Sequence, residues 1–398
     1  MVMVKLHVWL NLDFFFAGYF CYCCCCCYFY VLRCHCIDSG GWSDTPPLCF
    51  EHGGAVTNIA IKIDGERPIG AKARLISEPK LIFQVNDIVI VCSSMSDLMD
   101  YGTPQAPAAL LKCALLSIGI VDVNVETELE EQLFQHLEGS GARGIELHSW
   151  SNLPTGSGLG TSSILAACIV AAAARVCGQK MSEDSLVHAV MLTEQLLTTG
   201  GGWQDNVGGV YPGAKLCRSA AGLPLKVTTE VIPLSDDFRR ELNQRLVLLY
   251  TGRARLARNL LQNVVRRWYA RLPEIVATVK SLTTTATQAA NAIQEEDIVK
   301  VGACLSKYWT QKKCMAEGCE PEFVAKMIAS FDELIHGASL AGAGGGGFMA
   351  VITKEPNVRD KLRAQLDKLK LNIPGQTIHR CEIDMDGLTV VVEDVVKQ

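Results

Sequence analysis

The chain has 398 residues, of which 49% are hydrophobic and 20% charged; 37 Lys and Arg against 42 Asp and Glu give a formal net charge of -5. At roughly 150 residues per domain this length implies two or three domains with sizeable cores, and the composition excludes a disordered chain, a collagen-like chain and a small disulfide scaffold. A pI of about 5.9 provides no basic footprint for nucleic acid, and no Lys/Arg cluster marks a membrane surface as a partner.

The first 37 residues differ in character from the rest. Eight of the eighteen cysteines lie in the first 36 positions. The run from Leu6 to Leu32 is long and apolar enough for a membrane span, yet it is low in complexity, contains Asp13 and lacks a small-residue cleavage site. A transmembrane anchor, a palmitoylated cysteine cluster and translated non-coding sequence ahead of a true exon compete as readings. The low complexity favours the third, so residues 1–37 are expected to lie outside the native structure and to carry no functional residue. The other ten cysteines are scattered singly from Cys49 to Cys381, without CxxC pairs, and no N-x-S/T sequon occurs. That pattern suits the reduced thiols of a cytoplasmic protein.

From Ser39 onward the pattern is that of a folded enzyme. Alternating and β-branched runs predict strands at 55–63, 67–76, 81–92 and 144–149. A long helix is expected after Thr161, closed near Gly178, and a second from the Ser182 cap to about Leu197. Residues 207–234 are punctuated by glycine and proline and strand-like, with a domain boundary expected at about 225. The second half predicts helices near 253–270, 274–295, 297–316, 321–336 and 356–369, with closing strands near 376–395. The mixture implies an α+β protein of two sandwich-like domains, 38–225 and 226–398.

Three glycine-rich segments carry the chemistry. Pro154-Thr-Gly-Ser-Gly-Leu-Gly-Thr-Ser-Ser163 lies between a strand and the long helix. Gly156, Gly158 and Gly160 permit positive φ and close approach of a ligand, while the helix N-terminus offers free N–H groups that suit phosphate. The segment is neither a Walker A loop nor a dinucleotide fingerprint, because its glycine spacing fits neither. A turn needed only for strand–helix packing is the plain alternative.

The second segment is Gly200-Gly-Gly-Trp-Gln-Asp-Asn-Val-Gly-Gly209, read as a turn around Asp205, with Glu194 on the preceding helix. Glu194 shares a helix flank with Val187 and Met191 and is expected to point inward, where a carboxylate requires a partner or a metal. Two carboxylates in unlike environments fit a metal ligand and a proton acceptor, although a salt-bridged Glu194 and a turn-forming Asp205 account for the same residues. The third segment, Ala341-Gly-Ala-Gly-Gly-Gly-Gly-Phe348, has almost no side chains, so either something approaches its backbone or it is a hinge.

These three segments in this order resemble the superfamily of small-molecule kinases that includes galactokinase, homoserine kinase and mevalonate kinase. Gly40-Gly-Trp-Ser-Asp-Thr-Pro-Pro47 and Tyr250-Thr-Gly-Arg-Ala-Arg-Leu-Ala-Arg-Asn-Leu-Leu261 narrow the resemblance to the C-terminal kinase portion of the fucokinases, from about Ser39 to the end. The resemblance implies a ribosomal protein S5 domain 2-like first half, a ferredoxin-like second half and a site between them. It implies ATP-dependent phosphorylation of the anomeric hydroxyl of L-fucose, with Mg²⁺ as the second cofactor.

Carried over residue by residue, Pro154, Gly156, Ser157, Gly158, Leu159, Gly160, Thr161, Ser162 and Ser163 would surround ATP, helped by Gly344 and Gly345. Ser162 and Glu194 would hold Mg²⁺, and Asp205 would accept the hydroxyl proton. Gly41, Trp42, Asp44, Trp203 and Asp205 would form the sugar side, and Arg253 and Arg255 would reach its edge. In one respect the sequence departs from the pattern: the arginine that precedes the family's Gly-Gly-Trp falls on His35. A heptose 7-phosphate 1-kinase, an arabinokinase and a non-catalytic sugar- or nucleotide-binding relative remain the alternatives.

Overall fold

A computed structural model describes residues 26–32, 34–154, 156–253 and 258–394, and the side chains from 38 onward except those of 258–259 and 390–394. The expected anchor or cysteine cluster therefore lies largely outside the described residues. No helix of the described residues is long and apolar enough to cross a membrane.

Two sheets organise the molecule. In spatial order the first contains Thr389–Asp394, Cys26–Leu32, Ile69–Ile76, Gly144–Ser151, Leu81–Val85 and Ile88–Cys92. Its pairings are antiparallel except that between Leu81–Val85 and Gly144–Ser151. The second runs Ile335–Leu340, Phe348–Thr353, Leu246–Tyr250, Thr377–Ile383, Gly54–Ile63, Ala214–Ser219 and Val227–Ile232, with Cys34–Ser39 also paired to Gly54–Ile63. Residues 26–32 and 34–37, expected to stay outside the fold, thus hold strand positions, the first in one sheet and the second, continued to Ser39, in the other. Low complexity hid the first of them, because a uniform apolar run shows no alternation from which to read a strand.

The sequence-predicted strands recur at Gly54–Ile63, Ile69–Ile76 and Gly144–Ser151, while 81–92 is divided by a turn at Asn86 (φ +51°). The Thr161–Val176 helix is followed by Gly178 at φ +74°, and the Glu183–Leu196 helix is capped by the Ser182 side chain, which accepts from the N–H of Ser185. The helix expected at 321–336 is shorter, Glu322–Ser330, because Ile335–Leu340 is a strand, and of the helix expected at 253–270 the described part is Arg258–Tyr269. Helices at Ala109–Ser117, Leu129–Leu137 and Asp236–Arg245 were not expected. The boundary expected at 225 falls in the connection between Ala214–Ser219 and Val227–Ile232, which pair with each other.

Burial divides into two principal cores. The larger surrounds the Thr161–Val176 helix, whose Ile164, Ala166, Ala167, Cys168, Ile169 and Val170 are fully buried against the first sheet. The smaller lies among the second-half helices and the strands Leu246–Tyr250 and Phe348–Thr353. Trp42 and Leu48, from the first half, are packed into that second core. The loop containing them is therefore shared between the halves. The Thr57 hydroxyl donates to the Ala286 carbonyl at 2.7 Å, fastening the Pro273–Gln294 helix of the second half to a first-half strand.

Candidate active site

A cleft of about 290 Å³ opens where the three glycine-rich segments meet. Its phosphate-loop wall is Gly156, Ser157, Gly158, Gly160, Thr161, Ser162 and Ser163. Gly156, Gly158 and Gly160 have φ of +74°, +81° and +69°, so alternate residues occupy the left-handed region. That alternation and the start of the Thr161–Val176 helix point backbone N–H groups at one place, the arrangement that suits an anion.

The glycine-rich third segment is explained by the first. A Cβ on Gly158 would stand 2.6 Å from the Ala341 carbonyl oxygen, and one on Gly342 would stand 2.8 Å from Cα of Gly158. Farther along, the Phe348 N–H donates to the Ser157 carbonyl at 2.9 Å. The two loops lie backbone against backbone, which only glycine allows at positive φ. Gly342 and Ala343 line the cleft, whereas Gly344 and Gly345 turn toward Cys319, whose carbonyl accepts from the N–H of Gly345 at 2.6 Å.

The opposite wall is acidic. Asp44, Glu194 and Asp205 line the cleft, and Asp38 is buried nearby. Burial pushes the Glu194 carboxyl up to about 7; the Ser163 hydroxyl, which donates to Oε1 at 2.6 Å, opposes that shift and the Asp205 carboxylate adds to it. Asp44 is likewise raised to about 7 by burial, against a hydrogen bond from the Gln204 N–H at 3.0 Å. Gly202 makes room for it, since a Cβ there would stand 2.0 Å from Asp44 Oδ2. Oδ1 of Asp44 and Oε1 of Gln204 are buried without a hydrogen-bond partner, although both residues line the cleft.

Asp205 stands in the first turn of a helix, Gln204–Val210, where a glycine-rich turn was expected. Gly200–Gly202 supply the turn, and Gly209 lies within the helix, glycine there because a Cβ would lie 2.6 Å from Ile164 Cγ1. The helix thus presses on the phosphate-loop helix and sets Asp205 facing the loop.

The structure brings Trp42, Asp44, Glu194 and Asp205 together with the phosphate loop. Other expected residues sit behind the site. Gly41 lies beneath Gln204 and Tyr308, each of which would stand 2.3 Å from its Cβ. Trp203 and Leu159 are buried in the larger core, and Pro154 is exposed, its carbonyl accepting from the Ser157 N–H. Arg253 is exposed, with its guanidinium 5.5 Å from the Phe323 ring centroid, and Arg255 lies outside the described residues. The sequence reading missed Thr45, Gln204, Leu261 and Tyr308 as lining residues. Gln204 adjoins Trp203 and Asp205 within a motif already singled out, whereas Tyr308 carries no local signal.

Hard oxygen donors suit Mg²⁺, and the cleft supplies them in the Ser162 and Ser163 hydroxyls and the Glu194 carboxylate. None of the described residues lining the cleft is Lys or Arg, so the buried Glu194 and Asp44 carboxyls have no cation beside them there and the residues fit such an ion. No group of three or more His, Cys, Asp or Glu placed to hold a metal occurs among the described residues.

A helix-start anion loop facing buried carboxylates, in a cleft between two α+β halves, defines the class. The model of the GHMP kinases N terminal domain matches residues 126–213 and that of the GHMP kinases C terminal matches 289–370; the chain belongs to this family. Among its curated relatives is the bifunctional fucokinase/GDP-fucose pyrophosphorylase of Arabidopsis thaliana, 35% identical over 337 residues, covering 83% of this chain and 30% of the relative. The L-fucokinase/L-fucose-1-P guanylyltransferase of Bacteroides fragilis is 32% identical over 82% of this chain and 34% of its own length. The chain spans about a third of the length of these relatives. Galactokinase from Lactococcus lactis, solved with galactose, shares the fold at a TM-score of 0.64 and 15% identity, covering 92% of this chain and 95% of that one.

Proposed function

We propose that the chain is an ATP-dependent sugar kinase that phosphorylates the anomeric hydroxyl of L-fucose, giving L-fucose 1-phosphate and ADP in the cytoplasm. The observation that supports it most is the placement of Asp205 and Asp44 across one cleft from the phosphate loop. The fucokinases among its relatives supply the sugar.

In this reading the N–H groups of 156–163 hold the ATP phosphates. The sugar oxygen attacks the γ-phosphorus, the bond to the β-phosphate oxygen breaks, ADP departs and Asp205 takes the hydroxyl proton. Such transfer depends on positioning and charge neutralisation more than on covalent chemistry. Ser162, Ser163 and Glu194 would hold Mg²⁺, which supplies positive charge to the phosphates when bound. Asp44, with its unpartnered Oδ1, and Gln204, with its unpartnered Oε1, accept hydrogen bonds from sugar hydroxyls. Trp42 provides an apolar wall.

The test is ADP release by the full chain with Mg·ATP, comparing L-fucose, D-arabinose, L-galactose, D-galactose and a mannoheptose 7-phosphate. Turnover selective for L-fucose is expected. Turnover on the heptose phosphate alone would move the assignment to a heptose kinase, and silence on all five would overturn the kinase reading.

A further inference from the structure

Two adjacent lysines on the Ile298–Met315 helix have opposite environments. Lys313 points outward and pairs with Glu320 at 3.2 Å, whereas Lys312 is only 1% exposed. Burying an ammonium is costly unless it is paired and hydrogen-bonded, so this position requires an explanation beyond solubility.

Its surroundings point toward the cleft. The Lys312 Nζ donates to the Leu340 carbonyl at 2.6 Å, one residue before the glycine-rich segment that packs on the phosphate loop. The same Nζ lies 4.9 Å from the ring centroid of Tyr308, one helical turn earlier, and 5.6 Å from that of Trp309. Tyr308 lines the cleft, its hydroxyl pressed over Gly41. The acidic groups that act on the amine are Asp38, Cys319 and Asp205; burial outweighs them and draws Lys312 down to about 8. None of the described residues lining the cleft is Lys or Arg. Lys312 is thus a cation placed directly behind a wall that carries none.

We propose that Lys312 is a positioning residue for the acceptor side of the cleft. Its ammonium fixes Tyr308 over Gly41, anchors the start of the glycine-rich segment through Leu340, and supplies the positive charge that balances Asp38 and Asp205. The inference rests on the sugar-kinase reading above. It adds a contribution from the second half to a site whose chemistry otherwise resides in the first.

The test separates charge from hydrogen bonding with three variants in the full chain. Lys312→Met removes both, Lys312→Gln keeps an amide donor for Leu340 without the charge, and Lys312→Arg keeps charge and donors. Steady-state kinetics would be measured with sugar and ATP varied separately, beside thermal unfolding and binding of ATP alone. Lys312→Gln is expected to lower kcat/KM for the sugar by about 10- to 100-fold, the scale of losing one partner of a buried charged interaction. The KM for ATP should change by less than about 3-fold, and Lys312→Arg should recover much of the loss. If Lys312→Met does not fold, the Gln and Arg variants still decide the matter. Wild-type sugar kinetics in folded Lys312→Gln would overturn the inference alone, as would equal losses on the sugar and ATP sides. Silence of the unmodified chain on every sugar would overturn the kinase reading and this inference with it.

Discussion

The hydroxyl of Ser163, in the first turn of the phosphate-loop helix, donates to Oε1 of Glu194 on the next helix at 2.6 Å. This bond ties the anion loop to the carboxylate expected to face the metal, so the two cannot move independently. Ser163→Ala should lower stability by about 1–3 kcal/mol, because a buried carboxyl loses a partner. The same variant should require several-fold more Mg²⁺ for half-maximal ADP release. Thermal unfolding and a metal titration read the two effects, and an unchanged titration would remove Ser163 from the metal side.

Asp205→Asn should leave ATP binding intact and lower turnover by at least ~100-fold, the usual contribution of a positioned base. Wild-type turnover in that variant would eliminate Asp205 as the proton acceptor. Glu194→Gln should instead act on the metal dependence, with an altered Mg²⁺ titration as its signature.

Asp44 and Glu194 make stability depend on pH in a defined direction. Both carboxyls are raised to about 7 in the folded protein from ordinary values near 4, chiefly by burial. The folded state therefore holds protons that the unfolded state releases, and the stability this gives is complete below pH 4 and lost as pH rises through 7. Stability without ligands should fall between pH 5 and pH 8, by an amount on the order of 3 kcal/mol per group at most, and the melting temperature should fall with it. Mg²⁺ should reduce the fall, since a cation at Glu194 replaces the proton. A flat profile over that interval would show that these carboxyls are better solvated than the geometry indicates.

The loop contact distinguishes two kinds of glycine. Gly158→Ala places a Cβ against the Ala341 carbonyl at φ +81° and should both destabilise the protein and raise KM for ATP. Gly344→Ala, at φ +92° against Cys319, should destabilise it by about 1–3 kcal/mol and leave the ATP side unchanged. Equal effects on ATP from both would place Gly344 in the nucleotide site after all.

Much of this site was legible in the chain. Gly156, Gly158, Gly160 and Asp205 stand out because a backbone that must approach an anion, or a residue held in a tight turn, limits which side chains are allowed. Tyr308 and Lys312 do not stand out. Whether a helix residue reaches a cleft depends on how helices from distant parts of the chain cross, and in Lys312-Lys313 one ammonium is buried while its neighbour is solvated. The helix at Gln204–Val210 was misread because Gly208 and Gly209 argue against a helix locally, while the tight contact with Ile164 requires Gly209. The strand at Cys26–Leu32 was unreadable for a different reason, since its uniform apolar run shows no alternation, although it pairs with Ile69–Ile76 and Thr389–Asp394.

The pairing of Ile61 with Ile383 joins residues more than three hundred positions apart, and Arg67 clasps Asp384 through two hydrogen bonds of 2.7 and 2.9 Å beside that junction. During synthesis the first half emerges with both of its sheets still lacking a neighbour, and those strand edges stay open until Thr377–Ile383 and Thr389–Asp394 leave the ribosome. Such long-range closure is slow and leaves pairing edges exposed to other chains. Stalled or truncated translation products of this chain would accordingly depend heavily on chaperones, even though each segment of their sequence would be unchanged.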